Sequence, residues 1–492
     1  MSKNLSKSKY LSGRQCEKRL WLEINDPDKA SETPEYQQRL FDQGKEVGIR
    51  ARRYFEEGYL IDKDRLKIYE CVEETRDAIA RGESIIFEGT FFYDNTYIMS
   101  DIIKKNEDES WDFIEVKSAM GIKDEYIPDL AVQKYVLEGS GLKINKTWIM
   151  YINRECVYPD LSNLFVIKDV SDRVENIIHE VSRNMNTFKN LILLQNEPEI
   201  LIGPHCNKPY ACPFIEYCWQ NVGNRTVFDI PKLGNNKKYE LRDRGIILLE
   251  QLPNDYPLTD NQRTFINRML NGQIEIDSNG IKRKLSELGY PLHFLDFETD
   301  SYAIPRLNGT RPFDKIPFQY SCHIMHENGD IEHFEYIHLD QTDPRLPLAE
   351  SLVNCIRKSG SIIVYYAPCE REVLTSLAKS FPEHSLQLTT ITNRLWDQLD
   401  IFKRYYKHPD FRNSNSLKSV LPVLIPELSY EELAVGEGNQ AQSVWNLMIR
   451  TENDVDKSQM IEDLRAYCKR DTLAMVEIHM LLLKSSETNE SR

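Results

Sequence analysis

The chain has 492 residues, 41% of them hydrophobic, and this length is too great for one core, so we expect two or three domains. Its net charge of −15 argues against a protein that coats nucleic acid non-specifically, although an acidic enzyme can still bind cations and grip phosphates locally. No apolar run approaches the ~20 residues that cross a bilayer, and the first residues lack the apolar stretch of a signal peptide. We therefore expect a cytoplasmic protein that does not enter a membrane and keeps its cysteines reduced.

Residues 1–225 have the pattern of one α/β domain, in which amphipathic helical stretches alternate with apolar strands. The pattern predicts helices over 36–55, 69–80 and 126–138, and strands over 84–92, 97–103, 111–116 and 147–153.

Residues 226–288 are polar and mainly helical, and we interpret them as a bridge. A second α/β domain is expected over 289–485, followed by a disordered tail over 486–492. Its predicted strands are 292–295, 318–325, 333–338 and 361–366, and its predicted helices are 347–358, 371–380 and 461–483.

Four cysteines bracket the first domain. Cys16 stands alone near the start, and Cys206, Cys212 and Cys218 are clustered at the end. Such distant thiolates can share one metal centre only if the fold brings the two ends of the domain together. In a reducing compartment the clustered cysteines indicate metal ligands, whereas the other six stand singly and are expected to be small core residues.

A second set of polar residues lies between these cysteines. Glu115 and Lys117 are two apart in a predicted strand and so share a face, and Asp101, on the preceding strand, is expected to meet them across a hairpin. Two carboxylates can hold Mg²⁺ or Mn²⁺ against a phosphate, while a lysine orients water and offsets developing charge. Gln133 on the next helix and Glu88 on the strand before are candidates to complete the pocket.

These residues, together with the segment SKYLSGRQCEKRLWLE, resemble the RecB-type PD-(D/E)XK nucleases that carry an iron-sulfur cluster, including CRISPR adaptation nucleases and AddB subunits. The resemblance implies a restriction-endonuclease-like fold, a [4Fe-4S] cluster on the four cysteines, and cutting by Asp101, Glu115 and Lys117. Where that family has a histidine ligand, this chain has Gly48, so the metal would depend on other groups such as Glu46. The even spacing of the late cysteines keeps tetrahedral zinc open as the alternative.

The second domain carries its own acids. Asp296 and Glu298 lie at the end of an apolar strand, and Tyr467 and Asp471 are four apart on a predicted helix, hence on one side of it. Glu370 follows another apolar strand. Converging acids of this kind bind two divalent ions about 4 Å apart, one to activate water and one to steady the leaving oxygen.

This set resembles the DEDD 3′–5′ exonucleases of the ribonuclease H-like fold whose last motif is Tyr-x3-Asp. The resemblance assigns Asp296 and Glu298 to the first motif, Glu370 to the second, and Tyr467 with Asp471 to the third. The second motif departs from the family, which has Asp where this chain has Glu370, and Asp400 is a further candidate acid. The whole arrangement also resembles a bacterial family known only as a domain of unknown function.

Basic and aromatic residues mix near residue 404, and this composition suits a groove that stacks bases and binds phosphates. The candidates are Lys403, Arg404, Tyr405 and Lys418. We therefore expect a metal-dependent nuclease that hydrolyses DNA, single-stranded or at ends, in repair or phage defence. The alternatives are a nucleic-acid-binding scaffold with one or both sites inactive, and a ribonuclease.

Overall fold

The computed structural model describes residues 4–32, 35–55, 57–220, 222–223 and 225–487. They form two compact α/β units. Unit 1 comprises the described residues of Met1–Asn224 with Gly234–Gly245 and Tyr302–Phe313, and unit 2 comprises Arg225–Leu233, Ile246–Ser301 and the described residues from Asp314 onward.

The strands of unit 1 form one mixed sheet, and its helices build most of the core against that sheet. The strands are β1 (Leu5–Ser6), β2 (Tyr59–Leu60), β3 (Ile85–Tyr93), β4 (Thr96–Lys105), β5 (Trp111–Lys117), β6 (Ile144–Ile152) and β7 (Phe165–Asp169). The helices are α1 (Lys7–Gln15), α2 (Glu17–Asn25), α3 (Glu35–Arg52), α4 (Ile68–Ala80), α5 (Tyr126–Gly139), α6 (Ser171–Leu191), α7 (Ile215–Trp219) and α8 (Asn235–Asp243).

Strands β2 to β7 lie side by side in chain order, and β1 pairs with β4. Strand β4 changes its neighbour along its length, because it pairs with β1 at Thr96 and Tyr97 and with β5 from Ile102 onward. Asp101 lies between these two pairings. Helix α5 is buried on almost every side, consistent with its apolar sequence, and is in the same core as the sheet.

Unit 2 contains a five-stranded sheet and a small two-stranded one. The strands are β8 (Glu275–Ile276), β9 (Leu292–Asp300), β10 (Ile316–Met325), β11 (Ile331–Ile337), β12 (Ile362–Val364), β13 (Leu395–Asp397) and β14 (Tyr406–Lys407). The helices are α9 (Asp260–Asn271), α10 (Ser278–Leu285), α11 (Arg345–Cys355), α12 (Ala367–Ser380), α13 (Ser385–Asn393), α14 (Leu399–Arg404), α15 (Leu417–Leu424), α16 (Gly438–Met448) and α17 (Asp454–Glu487).

The larger sheet has the order β11-β10-β9-β12-β13. Strand β10 is antiparallel to both of its neighbours, whereas β9, β12 and β13 are parallel. Every residue of β10 is buried, which marks the centre of the unit, and the long helix α17 packs against β9 and β10.

The sequence-based prediction of a mixed α/β chain is confirmed, but several boundaries differ. The segment predicted as a bridge over 226–288 is divided between the units, since Gly234–Gly245 belong to unit 1. Helix α17 starts seven residues before its predicted start at 461 and continues to Glu487, past the predicted start of the tail at 486; residues 488–492 lie outside the described part. None of the helices in the described residues has the length and apolar composition needed to span a membrane.

Candidate metal centres

Three carboxylates lie in one row across the sheet of unit 1. The ladder pairs Phe87–Ile102 and Gly89–Ser100 place Glu88 opposite Asp101, and the register of β4 with β5 places Asp101 opposite Glu115. Asp101 is therefore in the middle of β4, whereas the predicted strand over 97–103 places it near the end. Its carboxylate accepts a hydrogen bond of 2.7 Å from the backbone N–H of Val116, so the expected meeting of Asp101 with Glu115 across the hairpin occurs.

The backbone of Glu88 is in the left-handed region, with φ of 58°. A residue with a β-carbon rarely adopts this conformation, and strained positions of this kind cluster at functional sites. The Glu88 carboxylate forms ion pairs with Arg65 at 2.9 Å and with Arg52 at 4.0 Å.

A buried charge network adjoins the row. Glu115 accepts hydrogen bonds from Lys117 at 2.8 Å, from Lys7 at 3.0 Å and from Gln133 at 2.8 Å. Asp129 accepts from Lys117 at 2.6 Å and from Gln133 at 2.9 Å, and forms an ion pair with Lys7 at 3.3 Å. Two lysines thus bridge two carboxylates that are almost inaccessible to water.

The two halves of this site have opposite electrostatic characters. Burial and repulsion by Glu115 raise the pKa of Asp101 to about 7. Burial would also raise the pKa of Asp129, but Lys7 and Lys117 outweigh it and hold that pKa below its usual value. Likewise, burial opposes the charge on Lys7, yet Asp129 and Glu115 raise its pKa. Cations therefore do not fully offset the burial and repulsion at Asp101, whereas Lys7 and Lys117 do so at Asp129.

Sequence reasoning missed Lys7 and Asp129. Asp129 lies four residues before Gln133 on α5, and this spacing puts the two side chains on one face, so it could have been found. Lys7 is 108 residues away from Glu115, and no local pattern indicates the contact. Glu46, considered as a substitute metal ligand, forms an ion pair with Arg306 at 2.6 Å.

The fold brings the four bracketing cysteines to one cavity. Its wall includes Cys16, Cys206, Cys212 and Cys218, with Leu22, Ile200, Ile202 and Phe214 among the apolar residues. Cys16 is the residue between α1 and α2, and Cys218 is in α7. All four are free thiols.

The donor set and its surroundings fit a bound metal group. Burial raises the pKa of the Cys16 and Cys218 thiols, and raises that of Cys212 to about 11, so a cation is needed to hold them as thiolates. The same four sulfur donors suit a tetrahedral zinc ion and an iron-sulfur cluster alike.

In unit 2, Asp296 and Glu298 lie within β9, which continues to Asp300 rather than ending before them. They alternate with Phe297 and so share one face of the sheet. Helix α17 presents Tyr467, Cys468 and Asp471 to the same place, where the Cys468 sulfur is 4.0 Å from Asp296 Oδ2. The predicted carboxylates of the first and third motifs are thus brought together.

The surroundings of these acids strongly disfavour their charged forms. Burial, then repulsion by Asp471 and Glu298, raises the pKa of Asp296 well above its usual value, and Glu298 is affected in the same sense. Burial raises the pKa of Asp471 to about 6 despite hydrogen bonds from Tyr430 and Tyr467. Bound cations would relieve this repulsion, so the residues present fit the divalent ions that the resemblance implies.

Glu370 is in the first turn of α12 and only 4% exposed. Burial raises its pKa to about 8, and it acts electrostatically on both Asp296 and Glu298. Its Oε2 has no hydrogen-bond partner. A buried carboxylate oxygen without a partner is costly, and this one is available to a cation.

The turn before Glu370 is held by Asp397, which sequence reasoning missed. Asp397 accepts hydrogen bonds from the backbone N–H groups of Tyr366, at 3.0 Å, and Ala367, at 3.2 Å. Tyr366 is strained, with φ of 79°. Because β12 and β13 are parallel and paired at Val364 and Asp397, their carboxyl ends place this acid beside the start of α12.

The four basic and aromatic candidates have different surroundings. Lys418 lies 5.6 Å from the centre of the Tyr430 ring and 5.3 Å from that of Tyr467, next to the acids. Lys403 and Arg404 are exposed and form ion pairs with Asp400, at 3.9 and 3.5 Å. Tyr405 is half-buried and packs against the core of unit 2. Asp400, considered as a further acid of the site, is therefore engaged by these two cations.

Comparisons with known proteins find relatives of undescribed activity. Residues 293–416 match a family described as a domain of unknown function, DUF2779. The uncharacterized protein MG366 of Mycoplasma genitalium is 23% identical over 350 residues, which cover 65% of this chain and 50% of that protein. The uncharacterized protein UU173 of Ureaplasma parvum is 25% identical over 244 residues, covering 45% of this chain and 35% of that protein. The chain thus spans at most half the length of either relative.

Proposed function

We propose that this chain is a metal-dependent nuclease that hydrolyses phosphodiester bonds of DNA, single-stranded or at ends. The observation that carries the proposal is the row formed by Glu88, Asp101 and Glu115, with Lys117 beside it. Three carboxylates on adjacent strands and one lysine are the groups that phosphodiester hydrolysis by a PD-(D/E)XK nuclease requires.

Each side chain of this row has a distinct role. Asp101 and Glu115 would hold Mg²⁺ or Mn²⁺, with Glu88 as a further ligand, and the ion would supply Lewis-acid activation of the phosphate and of water. Lys117 orients the attacking water and offsets charge on the phosphate oxygens. Gln133 donates to both Glu115 and Asp129, and so fixes the orientation of Glu115.

Unit 2 supports a second hydrolytic site of the DEDD class. Its sheet order and its single antiparallel strand β10 agree with a ribonuclease H-like fold. Asp296, Glu298, Glu370 and Asp471 would bind divalent ions there, and Tyr467 would position the attacking water. The longer side chain of Glu370 starts from the first turn of α12, and its free Oε2 supports its role as the acid of the second motif.

The four cysteines of unit 1 would hold a [4Fe-4S] cluster. It would be structural, since the binding energy of a metal group that joins distant segments contributes directly to the folding free energy. The cavity that the four cysteines line supports a shared metal group, and the resemblance to the iron-sulfur nucleases is the reason to prefer a cluster to zinc.

Cleavage assays test the proposal. Anaerobically purified protein is incubated with 5′- and 3′-labelled single- and double-stranded DNA and with RNA, in Mg²⁺ or Mn²⁺. Asp101→Asn and Lys117→Ala should abolish one activity, whereas Asp124→Asn, which changes an exposed carboxylate of the same unit, should not. Cleavage of RNA alone would replace the DNA assignment, and an unchanged product pattern in both site variants would remove this row from the mechanism.

One observation favours a scaffold that binds nucleic acid without cutting it. Both oxygens of Glu115 are already engaged, Oε1 by Lys7 and Lys117 and Oε2 by Gln133. If the network stays closed in the presence of divalent ions, the protein binds DNA and leaves it intact. Gel-shift and cleavage experiments on the same samples distinguish the two functions.

A further inference from the structure

Cys468 has different surroundings from Cys322 and Cys355, the other two buried cysteines of unit 2. It is fully buried, as a core cysteine would be, but its sulfur faces carboxylates. Cys355, by comparison, is buried in an apolar cluster with Tyr320 and Cys322. The sequence-based prediction that all six single cysteines are simple core residues does not explain a thiol in this position.

The geometry around Cys468 is that of a ligand set. One atom each from Asp296, Glu298 and Cys468 lie within 4.8 Å of one another, close enough to contact a single ion. Within the described ranges, this is the only such group of three histidine, cysteine or acidic side chains. The unpartnered Oε2 of the buried Glu370, which acts electrostatically on the same two acids, is a second observation that points to cations in this acidic site as a whole.

We propose that Cys468 is a ligand of one metal ion in the acidic site of unit 2. This position binds an ion that accepts a sulfur ligand, such as Zn²⁺, in preference to Mg²⁺. Mg²⁺ favours an all-oxygen octahedral shell, whereas Zn²⁺ accepts a thiolate at about 2.3 Å together with carboxylates. The inference rests on the proposed function in one respect, because Asp296 and Glu298 are metal ligands in both.

The role of Cys468 gives the site two unequal metal positions. The position formed by Asp296, Glu298 and Cys468 has two oxygens and one sulfur, while a second position next to Glu370 and Asp471 has oxygen ligands. Replacing Cys468 should therefore weaken binding at the first position and leave the second nearly unchanged.

The test is a metal-binding measurement on the full chain without nucleic acid. Zn²⁺ and Mg²⁺ are titrated calorimetrically into wild type, Cys468→Ser and Cys468→Ala. Cd²⁺ is titrated as well, because a bond between Cd²⁺ and a thiolate gives an ultraviolet absorption band that can be measured. The matched control is Cys355→Ser, another buried cysteine of unit 2. Thermal unfolding shows whether each variant is folded, and the alanine variant substitutes for the serine variant if a buried hydroxyl is not tolerated.

We expect a loss of about ten- to a hundredfold in Zn²⁺ affinity in both Cys468 variants, with Mg²⁺ affinity changed by less than about threefold. The Cd²⁺ band should decrease by one thiolate relative to wild type and to Cys355→Ser. Equal Zn²⁺ affinities, or an unchanged band, would overturn the proposal. No substrate is present in this test, so its result does not depend on cleavage. If Zn²⁺ binding depends on Cys468 but the protein cuts no nucleic acid, the nuclease function is refuted and this inference is supported.

Discussion

Lys7 and Cys16 lie at the two ends of the same helix. Lys7 is the first residue of α1 and contacts Glu115, and Cys16 caps its last turn and lines the cysteine cavity. Gln15 also donates to the carbonyls of His205 and Tyr210, both at 2.8 Å, which ties the end of the helix to the loop that carries Cys206 and Cys212. Helix α1 thus connects Lys7 to the cysteine cavity, and we expect the cysteines to help fix the position of Lys7.

The first prediction follows from this connection. Cys16→Ser should remove the brown colour and the iron of anaerobically purified protein, destabilise unit 1, and lower cleavage at the first site because α1 is no longer anchored. The activity of unit 2 should persist. Absorbance, iron and zinc analysis and cleavage assays measure these effects, with Cys71→Ser, a buried cysteine of unit 1 away from the cavity, as the control.

Two results would contradict this prediction in different ways. Stoichiometric zinc without visible absorbance in the wild type would refute the iron-sulfur assignment. Full cleavage at the first site in iron-free Cys16→Ser protein would show that the anchor does not act on Lys7.

The second prediction concerns the pairing of Lys7 with Asp129. Lys7→Met and Asp129→Asn should each reduce stability by about 2 kcal/mol, because each leaves a buried charge without one of its partners. The double variant should lose less than the sum, with a coupling energy of about 1 kcal/mol. Denaturant unfolding of the four proteins measures the cycle. Lys9→Met, which breaks the half-buried ion pair with Glu23, is the matched control, and strict additivity would mean that the network is not coupled.

The sequence predicts the local elements well and the long-range contacts poorly. Strands β3 to β6 and helix α5 are within a few residues of their predicted bounds, since these segments are strongly apolar. The row of Asp101 and Glu115 is also predictable, because neighbouring antiparallel strands determine it. Lys7 is not, because its contact depends on how α1 packs against distant strands, and no sequence period encodes such a contact.

The third prediction is that the two hydrolytic sites are separable. Asp296→Asn with Asp471→Asn should abolish stepwise release of mononucleotides and leave first-site cleavage intact, because the charge that holds the metals in unit 2 is removed. Tyr467→Phe should slow that release by a smaller factor, since only one hydroxyl is lost. Chromatography of labelled products measures both activities. Asp330→Asn, on an exposed turn, is the control. If the double variant still releases mononucleotides, Asp296 and Asp471 are excluded from the mechanism of that release.

The fourth prediction separates Lys418 from the exposed basic residues. Lys403→Ala with Arg404→Ala should weaken single-stranded DNA binding and lower the slope of log affinity against log salt by about 1.4, if both contact phosphates. Lys418→Met should instead lower cleavage, because Lys418 reduces the repulsion at Glu298 and Asp471. Fluorescence anisotropy over a salt series and cleavage rates measure the two effects. A salt slope equal to that of the wild type in the double variant would remove that pair from the DNA interface.

The fifth prediction concerns acid stability in unit 2. His479 is 1% exposed, packs against Phe294, and has no hydrogen-bond partner at either ring nitrogen. Burial lowers its pKa to about 4 from 6.5. The unfolded chain therefore binds a proton before the folded one, so the stability that a neutral His479 contributes is complete above pH 6.5 and is lost as the pH falls towards 4. Between pH 7.5 and 5 this loss amounts to about 2 kcal/mol.

His479→Leu should remove that part of the pH dependence, whereas His179→Leu, at an exposed position, should not. Hydrogen exchange of α17 peptides, compared with wild type at the same pH, measures the difference; the same pH dependence in His479→Leu and wild type would show that His479 is not the group responsible.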